Sequence, residues 1–187
     1  SEYNAKRFNP QDQLLVFFAG HGIYDENLSE GFVAARNSLA NDKGRSTYIP
    51  HSILRQRLDN IKCEHIFLVM DVCFGGTLDP EFAKNRSTEN GDTSDTDLLI
   101  RKLSQKTRKF LTSGSKEYVS DGVPGKHSPF ASLFIQALKE SGGKGNRIMT
   151  LYDLYPYFQR MKTQPRFGKF SEKDESTSDF VFVVSQN

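Results

Sequence analysis

Two short stretches of this sequence carry side chains that could do covalent chemistry. AGHG holds His21 between Gly20 and Gly22, and DVCFGG sets Cys73 two residues after Asp71 and ahead of Gly75 and Gly76. An imidazole and a thiol are the parts of a nucleophilic dyad, in which histidine takes the thiol proton and the thiolate attacks a carbonyl. The glycines allow sharp turns, and Gly22 keeps its backbone N–H open to a bound group. Taken singly, a cysteine is more often a small buried hydrophobe and a histidine a hydrogen-bonding side chain. It is the pair, with glycines beside both, that points to catalysis. Asp71, His21 and Cys73 could also be read as zinc ligands, but without a C-x-x-C pair that signal is weak. Of the other histidines, His65 opens an apolar run at the end remote from Cys73, His51 opens a helix, and His127 lies in a loop that could line a cleft.

His21 and Cys73 can meet only if two strands bring them together. LLVFFA (14–19) ends just before Gly20, and HIFLVMDV (65–72) ends on Cys73. Both are continuously apolar, the pattern of strands covered on both faces of a parallel sheet. In such sheets ligands gather beyond the carboxyl ends of the strands, where both residues fall. RKFLTS (108–113) and DFVFVV (179–184) read as shorter strands. Helices are expected at 51–58 after Pro50, at 129–140 with Ser128 as N-cap and Pro129 in the first turn, and at 151–161 with Thr150 as N-cap. Strands alternating with helices predict an α/β sandwich.

The 187 residues suit one domain, and 36% hydrophobic residues are enough for one core. With 25 basic and 23 acidic side chains the net charge is +2, and the basic ones are dispersed, which argues against nucleic acid as a partner. No apolar run reaches the roughly 20 residues of a membrane span, and no leader pattern opens the chain. The two cysteines, Cys63 and Cys73, flank one predicted strand and would stand too far apart to bridge. Free thiols favour a reducing, cytoplasmic setting. GGKGNR (142–147) lacks the spacing of a phosphate loop. The stretch 84–97, KNRSTENGDTSDTD, has no large apolar residue and reads as an exposed, flexible linker.

VFFAGHG followed by LVMDVCFGG resembles the histidine and cysteine motifs of the caspase-like peptidases (peptidase family C14), above all the metacaspases and prokaryotic caspase homologues. A His-to-Cys separation of about 50 residues is itself a mark of caspases, and here it is 73 minus 21, or 52. Asp71 before the cysteine is the metacaspase-like form. The likeness runs on through FLTSG, DGVPGKHSPFASLFIQAL, TQPRFG and the final DFVFV. It implies a caspase-like α/β sandwich with a mostly parallel central sheet flanked by helices. It further implies one catalytic domain over 1–187: a large-subunit-like part (1–83), a flexible linker (84–104) and a small-subunit-like part (105–187). Cys73 would be nucleophile, His21 general acid/base, and the N–H groups of Gly22 and Cys73 the oxyanion hole. Ser113 and Ser115 would touch substrate beside Asp71. Relatives carry further strands before the histidine strand, so a missing N-terminal segment or a companion chain is expected to complete the sheet.

A carboxylate at Asp71, on the same strand face as Cys73, suits a substrate Lys or Arg. Basic residues flank the linker, so Lys84, Arg86, Arg101 and Lys102 are candidate self-cleavage sites of a zymogen. No cofactor is implied, although some metacaspases require calcium. The family's roles include programmed cell death and antiviral defence. Two other readings fit the same motifs: a catalytically weak signalling or scaffold module, and a thiol amidase acting on small molecules.

Overall fold

The computed structural model describes residues 2–72, 94–114, 125–142, 148–163 and 165–183. Along the chain come α1 (Glu2–Ala5), β1 (Gln13–Ala19), β2 (Gly22–Asp25), β3 (Glu30–Val33), β4 (Ile49–Pro50), α2 (His51–Asp59) and β5 (His65–Asp71). They are followed by α3 (Asp95–Leu103), β6 (Thr107–Thr112), α4 (Pro129–Gly142), β7 (Ile148–Thr150), α5 (Leu151–Phe158), β8 (Arg166–Lys169) and β9 (Val181–Val183). The central sheet has the order β1-β5-β6-β8, with β1, β5 and β6 parallel and β8 antiparallel to β6. The protein is thus mixed α/β, with a mostly parallel sheet flanked by helices.

β5 is buried along all seven residues, as a continuous apolar run in the middle of a parallel sheet should be. Its side chains alternate between two cores. Ile66, Leu68, Met70 and Val72 pack with Leu58 of α2, Val33 of β3 and Phe110. Phe67 and Val69 face the other way, among Phe130 and Phe134 of α4 and Leu154 and Phe158 of α5. Fully burying a ring such as Phe67 contributes about 2–3 kcal/mol. At the amino end of the strands Arg108, with no exposed surface, donates to the carbonyls of Ile61, Cys63, Glu64 and Thr107 and pairs with Asp59 at 3.3 Å. That clamp ties the loop entering β5 to β6, at the end of the sheet away from His21.

The helix signals hold. Ser128 Oγ accepts from Ala131 N at 2.9 Å at the start of α4, and Asp153 accepts from Thr150 N at 2.8 Å to close a capping box on α5. Four expectations differ. β1, an edge strand among the described residues, is not covered on both faces: Leu14, Val16 and Phe18 join a core, whereas Leu15 and Phe17 are each 41% exposed. The last strand is not in the central sheet, because β9 pairs antiparallel with β7 as a separate two-stranded sheet. Residues 95–103, assigned to the flexible linker, form α3, begun by Ser94 Oγ accepting from Asp97 N. The small sheet β2-β3-β4 and the strand β8 are additions that the apolar runs did not signal.

Candidate active site

β1 and β5 run side by side in a register that pairs Ala19 with Asp71, and Gly20 N donates to Asp71 O at 3.2 Å just beyond. His21 follows immediately, at the carboxyl end of β1. Its carbonyl accepts from Ala34 N at 2.8 Å, which locks it to the β2–β3 hairpin. Pairs alternate in an antiparallel ladder, so that bond makes Gly22–Val33 the non-hydrogen-bonded pair. The Gly22 N–H therefore points out of the β2–β3 ladder.

A cleft of about 430 Å³ lies at this end of the sheet, on the α4 side. The end of β1 contributes Phe17, Ala19, Gly20 and His21 to it, β5 contributes Asp71, and the segment entering α4 contributes Lys126, His127, Ser128 and Ala131. Phe17 reaches the cleft because odd-numbered positions of β1 face α4, where its ring lies 5.8 Å from that of Phe134. Parity places Asp71 on the face shared by Phe67 and Val69. It is 9% exposed, and its Oδ2 accepts from Ser128 Oγ at 2.5 Å. His21 and Asp71, 50 positions apart in sequence (71 minus 21), thus line one cavity, and His127 joins them from the far wall.

Ser113 is placed differently from the expectation. It has no exposed surface, and its Oγ donates to Val72 O at 3.1 Å, so the hydroxyl serves the backbone rather than a substrate. Thr163 Oγ1 in turn donates to Ser113 O at 2.7 Å. Arg101 and Lys102 lie on α3, where the Lys102 ammonium donates to Thr177 O at 3.0 Å. Cys73, Ser115, Lys84 and Arg86 lie outside the described residues. Cys63 is fully buried with Sγ 3.2 Å from Asp12 O, and burial pushes its thiol pKa up, the setting of an inert structural cysteine. His65 is also structural, its Nε2 3.1 Å from Pro10 O. Among the described residues no group of three His, Cys, Asp or Glu side chains is arranged to hold a metal ion. The contribution of Ser128 to the cleft was not read from the sequence; a serine before a proline at a helix start signals a cap but not its second partner.

The caspase-domain family model matches residues 3–164, and the chain belongs to that family of cysteine peptidases. The match runs from before β1 into the residues ahead of β8, so it takes in both walls of the cleft. No curated protein and no solved structure matches the chain. Among the described residues no helix is long and apolar enough to cross a membrane.

Proposed function

We propose that the chain is an endopeptidase in which Cys73 and His21 form the dyad. One observation carries the reading: Ala19 pairs with Asp71, and each stands two residues before a dyad member, at the mouth of a cleft that His21 lines. In the proposed step the Cys73 thiol proton passes to the His21 imidazole and the thiolate adds to the scissile carbonyl. The resulting oxyanion takes hydrogen bonds from the N–H groups of Gly22 and Cys73. The amine leaves with the proton from His21, and water then releases the acyl group from sulfur. The outward turn of the Gly22 N–H from its ladder supports its part.

Asp71, mostly buried yet lining the cleft, suits the cationic end of a substrate Lys or Arg, so the cleavage site is a basic residue. Self-processing at Arg101 or Lys102 would require α3 to open first, since a peptidase needs an extended segment and both belong to a capped helix; Lys84 and Arg86 remain the other proposed sites. Among the described residues β1 is an edge strand, and its open backbone edge supports an added strand there, from a preceding segment or a companion chain. A buried free thiol at Cys63 suits a reducing cytoplasm.

The test is peptide-library cleavage by the wild type, Cys73→Ala and Cys63→Ala. The expected result is cleavage after Lys or Arg, abolished by Cys73→Ala and near wild type in Cys63→Ala. Residual turnover in Cys73→Ala would overturn the dyad. A thiol-reactive peptide probe that fails to label Cys73 would favour a scaffold module, and hydrolysis confined to small amides would favour an amidase.

A further inference from the structure

We propose that Ser128 is a positioning residue for specificity, holding the Asp71 carboxylate in the orientation that receives a substrate cation. This rests on the reading of Asp71 given above. A carboxylate as buried as Asp71 needs donors to replace water, and Ser128, 57 positions away in sequence, supplies one at 2.5 Å. The same Oγ accepts from Ala131 N at 2.9 Å. A hydroxyl has one proton; with the α4 amide donating to its oxygen, that proton is left to point at Asp71. Holding one carboxylate oxygen fixes the carboxylate plane and so the place of the other oxygen.

The anchor itself is firm. α4 runs for 14 residues, and Phe130 and Phe134 sink its first turns into the core beneath β5. The geometry of Asp71 is therefore set by the docking of α4 as well as by β5. The positive end of the helix lies behind the hydroxyl, so what Ser128 adds at Asp71 is a neutral donor backed by a dipole.

If Ser128 were only a helix cap, Asp71 would be indifferent to its hydroxyl, and substitutions separate the two roles. Ser128→Gly keeps most of the capping and loses the hydroxyl. Ser128→Thr keeps cap and donor. The readouts are melting temperature and kcat and KM on peptide pairs that differ only in a Lys, Arg or neutral residue at the cleaved position. In Ser128→Gly the basic-to-neutral ratio of kcat/KM should fall about ten-fold, the loss of one charge-assisted hydrogen bond. The fall should sit in KM for basic peptides, with kcat on neutral peptides nearly unchanged, while the melting temperature drops by a few degrees because the buried Asp71 carboxylate loses a donor. Ser128→Thr should restore the ratio. A wild-type ratio in Ser128→Gly, beside a lost preference in Asp71→Asn, would overturn the role of Ser128 and leave Asp71 as the specificity residue. A preference that survives Asp71→Asn would overturn both.

Discussion

Ser113 spends its hydroxyl on the carbonyl of Val72, in a place that water does not reach. Removing a donor there leaves a buried carbonyl short of a partner, a cost of about 1–3 kcal/mol. Ser113→Ala should accordingly lower the melting temperature by several degrees, about 2–4 °C per kcal/mol for a chain of this size, and Ser113→Thr should recover part of it. Calorimetry of the two variants checks this; an unchanged Ser113→Ala midpoint would mean that the hydroxyl holds nothing. At this scale the sequence was legible where residue type and strand position agreed. His21 and Asp71 each sit at the carboxyl end of an apolar run, and the sheet brings them to one cleft. Ser113 and Ser128 were not legible in the same way. A serine can serve substrate, cap or backbone alike, and only the long-range fold decides which partner it meets.

Elements were readable in proportion to how much apolar surface they bury. β5 and α4, with seven buried strand residues and a phenylalanine-lined face, announced themselves. β2, β3 and β8 are four-residue strands of mixed composition, too short for a period to emerge. α3 was hidden by the polar stretch before it, although Ser94 with Asp95 and Asp97 at its start and Arg101 and Lys102 in its last turn are helix-end signals. No residue of α3 is fully buried, so besides the half-buried Leu98, Leu99 and Leu103 the helix leans on its cap and on the Lys102 and Gln105 contacts to Thr177. Ser94→Ala should weaken it by about 1 kcal/mol, and brief trypsin treatment should then cut faster after Arg101 and Lys102. Equal digestion rates in wild type and variant would show that the cap does not limit opening of α3.

For the whole molecule, the buried His51 and the half-buried Asp179 carry large shifts that act on how stability responds to acid, and they oppose one another. His51, at the start of α2 with no exposed surface, has its pKa pushed down to about 4 by burial, with Glu30 partly offsetting this. Asp179, between α5 and β9, has its pKa pushed up to about 6 by burial, while Lys102 and the N–H groups of Leu151 and Phe180 pull it back. The unfolded values are about 6.5 for histidine and 3.9 for aspartate. As pH falls from 6.5 towards 4, the unfolded chain protonates His51 before the folded one does, so stability is lost. Over much the same range the folded chain protonates Asp179 before the unfolded one does, so stability is gained, and it is lost again as pH rises through 6. For His51 the full effect is about 3 kcal/mol; for half-buried Asp179 it is smaller, since water screens part of the charge. The gain at Asp179 should therefore offset only part of the loss at His51, leaving the wild type a shallow fall in stability between pH 6 and 4 on their account, and single substitutions should expose each slope. Asp179→Asn keeps an oxygen for the Leu151 and Phe180 amides. It should raise stability at pH 7 and lose it steeply below pH 6. His51→Gln should become more stable as pH falls through the same window. Denaturant midpoints at half-unit pH steps give the slopes directly, so a uniform loss from repacking does not affect the comparison. If both variants ran parallel to the wild type from pH 7 to 4, neither group would be coupled to folding, and the acid response would have to lie elsewhere.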